Sequence, residues 1–233
     1  MLLMGLIASF LVYDYQLRKD GLQNKSLYYE LVPFLILFGL LGASVWELIF
    51  QGSNFTIANL IQGGKTFYGG LIFCLLFLIP FTIWHKIGFL NILSRLVLPM
   101  TLGHCIGRIG CFLGGCCYGQ PTNHWFGVKF PLNSLPYQLH GNIALIPTQL
   151  FESLLLAILF FILLKVNRNS HLSLYLIYYG IIRFTIEFIR FDDRGTILFN
   201  NLSPAQLIST VLVVSGLSVL LFYRRNPNLI SNE

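Results

Sequence analysis

Long apolar runs separated by short polar stretches are the feature that most constrains the fold of this 233-residue chain. A helix needs about 20 mostly apolar residues to cross the hydrocarbon layer of a bilayer. We predict seven spans, at about 1–15, 31–50, 67–84, 92–116, 147–165, 172–190 and 204–223. The sequence therefore predicts an all-α, polytopic integral membrane protein, with 1–233 forming a single transmembrane domain.

The composition supports a membrane protein and argues against a soluble one. Only 10% of the residues are charged and the mean hydropathy is +0.72, whereas soluble domains carry roughly 25% charged residues. The net charge of +6 would suggest nucleic acid as a partner of a soluble protein. Here the basic residues lie between apolar runs, so we expect no nucleic-acid partner. The chain has no P-loop, dinucleotide-binding or zinc-protease motif.

The basic residues also predict the orientation of the chain in the membrane. Loops rich in lysine and arginine stay in the cytoplasm. The loops after the odd-numbered spans hold most of them: Arg18, Lys19, Lys25, Lys86, Arg95, Lys165, Arg168, Arg224 and Arg225. We therefore predict the N-terminus outside, the C-terminus in the cytoplasm, and a non-cytoplasmic loop at about 118–146.

In this topology the polar residues within spans gather at one depth, near the non-cytoplasmic surface. They are Glu47 at the end of the second span, Tyr68 on the third, Arg108 on the fourth, Gln149 and Glu152 on the fifth, and Arg183, Glu187 and Arg190 on the sixth, which also carries Tyr179. An arginine at the centre of a membrane helix costs about 2.5–3.5 kcal/mol on insertion scales. A shared depth suggests one cationic cavity for an anion such as a phosphate.

The sixth-span residues follow one another at spacings of four, four and three, which predicts a single helical stripe. We interpret Arg183 and Arg190 as a cationic wall, with Glu187 orienting one guanidinium. The alternative is an internal ion pair that only holds helices together. Gly69 and Gly70, which follow Lys65, fit a loop-to-helix turn whose backbone N–H groups face an anion, or a flexible entry into the span. A small-residue face that includes Gly107 and Gly110 fits close approach of a lipid head group or a second helix.

Cysteines cluster at the end of the fourth span, where Cys111, Cys116 and Cys117 lie near His104. Zinc sites usually combine two ligand pairs from separate places in the sequence. The spacing here is C-x4-C-C with no second pair, so we expect no metal site. A thiol-redox role for Cys116 and Cys117 is the other alternative, although a disulfide between neighbours would be strained.

Four blocks resemble the bacterial prolipoprotein diacylglyceryl transferases. They are GKTFYGGLIF at 64–73, GRIGCFLGGCCYG at 107–119, IPTQLFE at 146–152 and YYGIIRFTIEFIRFDD at 178–193, and SPAQLIS at 203–209 is a further match. The resemblance extends over most of the chain from about residue 39 onward. It implies a seven-span inner-membrane enzyme that needs no cofactor.

The resemblance also implies a reaction and a set of site residues. Such enzymes move the diacylglyceryl group of phosphatidylglycerol onto the lipobox cysteine of a preprolipoprotein. By position, Arg108, Arg183 and Tyr68 are the implied catalytic residues. The implied substrate-binding residues are Gly69, Gly70, Gly107, Gly110, Cys111, Gly119, Gln149, Glu152, Tyr179, Glu187 and Arg190.

The chain departs from the family pattern at several positions. Tyr68 stands where the family usually has histidine, Ile146 replaces a second histidine, and the family's arginine near Ser44 is missing. The polar residues usual at 111–116 are replaced by cysteines and glycines. A non-catalytic or altered-substrate lipid-binding protein is therefore the alternative to an active transferase.

The predicted topology can be tested with reporter fusions. A reporter joined after Phe222 should show cytoplasmic placement, because the flanking Arg224 and Arg225 favour that side. One inserted in the 118–146 loop should show the opposite placement. A non-cytoplasmic signal after Phe222 would contradict both the orientation and the side on which the cavity opens.

Overall fold

The computed structural model describes residues 1–21, 25–51, 56–62, 67–191 and 203–225, and most of them are helical. The helices are α1 Leu2–Lys19, α2 Lys25–Gln51, α3 Ile57–Gln62, α4 Phe67–His85, α5 Phe89–Leu113, α6 Leu135–His140, α7 Thr148–Lys165, α8 His171–Glu187 and α9 Pro204–Arg225. Two short strands, β1 Val128–Lys129 and β2 Ala144–Leu145, pair antiparallel.

Seven helices of at least 17 residues in the described ranges occupy the seven predicted segments. Four of them, α2, α5, α7 and α9, are long and apolar enough to cross a membrane, and α4 contains a shorter apolar stretch. The protein is therefore a helical integral membrane protein. The count of seven spans and the orientation of the termini stay predictions.

The chain forms two compact units, residues 1–16 with 93–233, and residues 17–92. In the second unit α2 packs against α4. A Cβ atom on Gly70 would lie 2.7 Å from the carbonyl oxygen of Gly39, so the two helices approach closely at this point. Phe38 and Phe77 stack across the same pair of helices, with ring centroids 4.7 Å apart.

The first unit is built on α8, which packs along α9 and also contacts α7. Gly180 lies at the contact with α9, where a Cβ atom would stand 2.8 Å from Val213 Cγ2 and 2.9 Å from the Ser209 carbonyl oxygen. Residues 118–146, which we predicted only as a loop, carry β1, β2 and α6 around a small core of Tyr118, Phe130 and Leu145.

The fourth and sixth predicted spans extend beyond the helices that the structure shows there. The fourth span was expected to continue to 116, but α5 ends at Leu113 because Gly115 adopts a left-handed conformation with φ 68°. The amides of Gly115 and Cys116 donate to the carbonyl oxygens of Phe112 and Cys111, both at 3.1 Å, which is the Schellman pattern of helix termination. The sixth span was expected to reach 190, but α8 ends at Glu187.

Substitution of Gly180 tests the α8–α9 contact. Gly180→Val should lower the thermal unfolding midpoint in detergent, since overpacking a close contact typically costs about 1–3 kcal/mol. Gly107→Ala is the matched control, because no described atom lies within 4 Å of a Cβ at that position. Equal midpoints for Gly180→Val and the unsubstituted protein would show that the helices do not approach as closely as described.

Candidate functional site

A buried ion pair joins α5 to α7 in the first unit. Arg108 Nη2 on α5 lies 2.8 Å from Glu152 Oε1 on α7, and the two side chains are 14% and 1% exposed. Tyr179 on α8 joins both, since its hydroxyl donates to Glu152 Oε1 at 3.2 Å and accepts from Arg108 Nη2 at 3.4 Å. Three helices thus contribute one residue each to a single polar cluster, which we call the Arg108 cluster.

A second ion pair lies on α8 itself. Arg183 Nη2 is 2.7 Å from Glu187 Oε2, one helical turn away, and the side chains are 4% and 9% exposed. Ser203 Oγ donates to the other carboxylate oxygen of Glu187 at 2.8 Å. Ser203 also forms a capping box with Gln206 at the start of α9, so Glu187 is held from two helices.

Both arginines carry buried donors that the described residues leave without a partner. Arg108 Nε and Arg183 Nη1 are buried and form no hydrogen bond within the described residues, and the same holds for the acceptor Gln149 Oε1. An unsatisfied buried donor costs about 1–3 kcal/mol, and more if it is charged. Guanidinium donors of this kind are suited to the oxygens of a phosphate, which accept several such bonds.

Aromatic rings pack beside the Arg108 cluster. Tyr175 and Tyr179 stack with centroids 5.5 Å apart, and His104 meets Tyr179 edge to face at 4.8 Å. His104 Nδ1 lies 3.2 Å from the Tyr175 hydroxyl. In the sequence His104 stands near the cysteines, but its position four residues before Arg108 also predicts that the two side chains share one face of α5.

Arg190 lies apart from the helical stripe on which it was predicted. The residue follows α8 and pairs with Gly119 in an isolated antiparallel bridge. A Cβ atom on Gly119 would lie 2.6 Å from the Ile189 carbonyl oxygen, so only glycine fits this close approach. Arg190 is buried, and its charge lowers the pKa of the Cys117 thiol. It therefore does not extend the row of Tyr179, Arg183 and Glu187.

The turn after α5 is fastened to the first turn of α7. Gln149 Nε2 donates to the carbonyl oxygen of Cys116 and Thr148 Oγ1 to that of Cys117, both at 2.6 Å. The sulfur atoms of Cys111, Cys116 and Cys117 all lie within 4.8 Å of one another. Hydrogen bonds from the Cys111 and Cys116 thiols, together with the charge of Arg190, lower the pKa of Cys117 well below its ordinary value.

Three predicted site residues belong to the second unit. The side chain of Tyr68 lies outside the described residues, so its predicted catalytic role stays a prediction. Gly69 and Gly70 are buried in the packing of α4 against α2, where Gly69 faces Trp46 and Gly70 faces Gly39.

Two predicted glycines lie on α5 in the first unit. Gly107 is exposed and borders Arg108, and a Cβ on Gly110 would lie 3.0 Å from Met1 Cβ.

Comparison with known proteins identifies the family. The model of the prolipoprotein diacylglyceryl transferase family matches residues 1–222. The chain belongs to this family. A relative from Clostridium tetani named phosphatidylglycerol–prolipoprotein diacylglyceryl transferase is 32% identical over 228 residues, which cover 94% of this chain and 89% of the relative.

Other members of the transferase family align over similar lengths. One from Clostridium perfringens, named phosphatidylglycerol–prolipoprotein diacylglyceryl transferase 2, is 29% identical. The alignment covers 92% of this chain and 85% of that relative. One with the same enzyme name from Xanthomonas oryzae is 30% identical, covering 80% and 72%. The family match includes every helix that contributes to the Arg108 cluster.

A double-mutant cycle tests the buried pair. Arg108→Ala and Glu152→Ala should each destabilise the protein by about 3–5 kcal/mol, because each leaves an uncompensated buried charge. The double variant should lose much less than the sum of the two, as measured by thermal or denaturant unfolding in detergent. Additive losses would show that the two side chains do not interact. Lys129→Ala, which removes an exposed cation, is the control for charge alone.

Proposed function

We propose that this protein transfers the diacylglyceryl group of phosphatidylglycerol to the lipobox cysteine thiol of a preprolipoprotein, the first step of lipoprotein maturation. The observation that carries the proposal is the pair of buried arginines, whose donors Arg108 Nε and Arg183 Nη1 have no partner in the part of the chain that the structure describes. The names of the relatives support the two substrates. We further propose seven spans in the bacterial inner membrane, with the site in its outer half.

In the proposed complex the phosphodiester of phosphatidylglycerol lies against the two arginines. The fixed ion pairs with Glu152 and Glu187 orient the guanidinium groups before the lipid arrives. Tyr179 adds a hydroxyl that is already bonded to both members of the Arg108 cluster. Preorganised donors of this kind need no rearrangement when charge develops on the substrate, which is the main source of electrostatic catalysis.

The reaction is a displacement at a glycerol carbon. The thiolate sulfur attacks the carbon that bears the phosphate oxygen, a thioether C–S bond forms, the C–O bond breaks, and glycerol phosphate leaves with the electron pair. The thiol proton passes to water or to a nearby base. An unperturbed thiol has a pKa near 8.5, so a cationic site favours the thiolate as well as the leaving phosphate. Tyr68 is the proposed donor or relay.

Substitution of the arginines tests this mechanism. Arg108→Ala and Arg183→Ala should each lower the transfer rate on the order of 10²–10³, the usual cost of removing one transition-state donor. Arg108→Lys and Arg183→Lys should recover little, because an ammonium group cannot reproduce the guanidinium fork. The assay is transfer of labelled diacylglyceryl from phosphatidylglycerol to a lipobox peptide in detergent, with Lys129→Ala as control.

The same assay separates the proposal from its alternative, a lipid-binding protein without transfer activity. The alternative arises because Tyr68 stands where the family usually has histidine. Tyr68→Phe should lose less activity than either alanine variant, and Tyr68→His, which restores the usual family residue, should be tolerated. If the unsubstituted protein shows no transfer while Tyr68→His does, the proposed reaction is wrong for this chain and lipid binding becomes the better account.

A further inference from the structure

Three thiols converge where α5 ends. The sulfur atoms of Cys111, Cys116 and Cys117 lie within 4.8 Å of one another, and no histidine, aspartate or glutamate of the described residues joins the group. Three thiolates bound to one zinc ion at about 2.3 Å stand about 4 Å apart, so small side-chain shifts suffice for binding. We propose that these three cysteines bind one zinc ion and leave its fourth coordination position open.

The turn after α5 explains why residue spacing alone predicts no metal site. Cys111 is in the last turn of α5, and the Schellman turn at Gly115 reverses the chain immediately afterwards. Cys117 itself adopts a left-handed conformation, with φ 67°. The reversal brings Cys116 and Cys117 back over Cys111, so a single element with its turn supplies all three ligands.

The ligand turn is fixed by its surroundings. The carbonyl oxygens of Cys116 and Cys117 each accept a 2.6 Å hydrogen bond from the buried side chains of Gln149 and Thr148. Rigid support of this kind is what a metal site needs, since ligands that must be ordered on binding weaken the affinity. Zinc with three thiolates carries a net charge of −1, and the buried guanidinium of Arg190 beside Cys117 compensates it.

Soft thiolate ligands select metals such as zinc over magnesium or calcium. Zinc sites with three protein ligands keep the fourth position for water or for an incoming group. Cys116 is exposed, so this position can be reached from outside the chain. We expect it to accept the thiolate of the acceptor peptide: water leaves the ion, a Zn–S bond forms, and the thiol proton passes to solvent. This expectation, unlike zinc binding itself, rests on the proposed function.

Zinc content tests the site without any substrate. Reduced protein purified in detergent, loaded with Zn²⁺ and desalted should hold about one zinc per chain by elemental analysis. Cys111→Ser, Cys116→Ser and Cys117→Ser should each lose most of it, whereas Cys74→Ser, which alters a cysteine outside the cluster, should keep it. Zinc retained by the triple serine variant, or absent from the unsubstituted protein, would overturn the proposal.

Cobalt substitution gives a readout that does not depend on how well a variant folds. Co²⁺ bound to the unsubstituted protein should give the intense sulfur-to-cobalt absorption typical of thiolate ligands, and a spectrum of oxygen ligands alone would contradict the site. A lipobox peptide should then shift the spectrum, while the same peptide with serine in place of cysteine should not. Identical cobalt spectra with the two peptides would overturn the expectation that the fourth coordination position accepts the peptide thiolate.

The two proposals can fail separately. Zinc binding is measured without lipid or peptide, so missing zinc would overturn the metal site and not the proposed transfer function. Absence of transfer with zinc bound would count against the proposed function and not against the metal site.

Discussion

The ion pair between Arg108 and Glu152 is the interaction on which the first unit most depends. An arginine in an apolar helix bundle is tolerated only when a carboxylate and further hydrogen bonds offset the loss of water. Here Glu152 supplies the charge and Tyr179 the additional bonds, so α5, α7 and α8 must keep their mutual register. Arg108 Nε has no hydrogen-bond partner among the described residues, and this unused donor supports the proposed lipid site.

Further polar residues around the Arg108 cluster hold neighbouring side chains and turns in place. Glu187 orients Arg183 and is itself held by Ser203, which caps α9. Gln149 and Thr148, in the turn of α7 that precedes Glu152, fix the cysteine turn at the end of α5. One short stretch of α7 therefore supports both the cationic site and the thiol cluster. This arrangement explains why polar residues near the start of a membrane helix are buried rather than solvated.

The long helices could be predicted from the sequence, because they depend on local composition. Apolar runs locate the long helices, and Arg108, Glu152 and Arg183 stand out as charged residues within them. The pairing of Arg108 with Glu152 could not be predicted, since it depends on how α5 and α7 pack. Arg190 was misplaced for a similar reason: Gly119, about 70 residues earlier, pairs with it beyond the end of α8. The convergence of the three cysteine sulfur atoms could not be predicted, because residue spacing does not describe the left-handed turn that reverses the chain after α5.

Complementation in cells tests the central claim most directly. A bacterial strain depleted of its own diacylglyceryl transferase would express this chain, with Arg183→Ala as the matched variant and membrane levels of both proteins measured. The account predicts that the unsubstituted chain restores growth and produces lipoproteins carrying a diacylglyceryl thioether, whereas Arg183→Ala does not. Failure of the unsubstituted chain to do either, despite normal amounts in the membrane, would contradict the account.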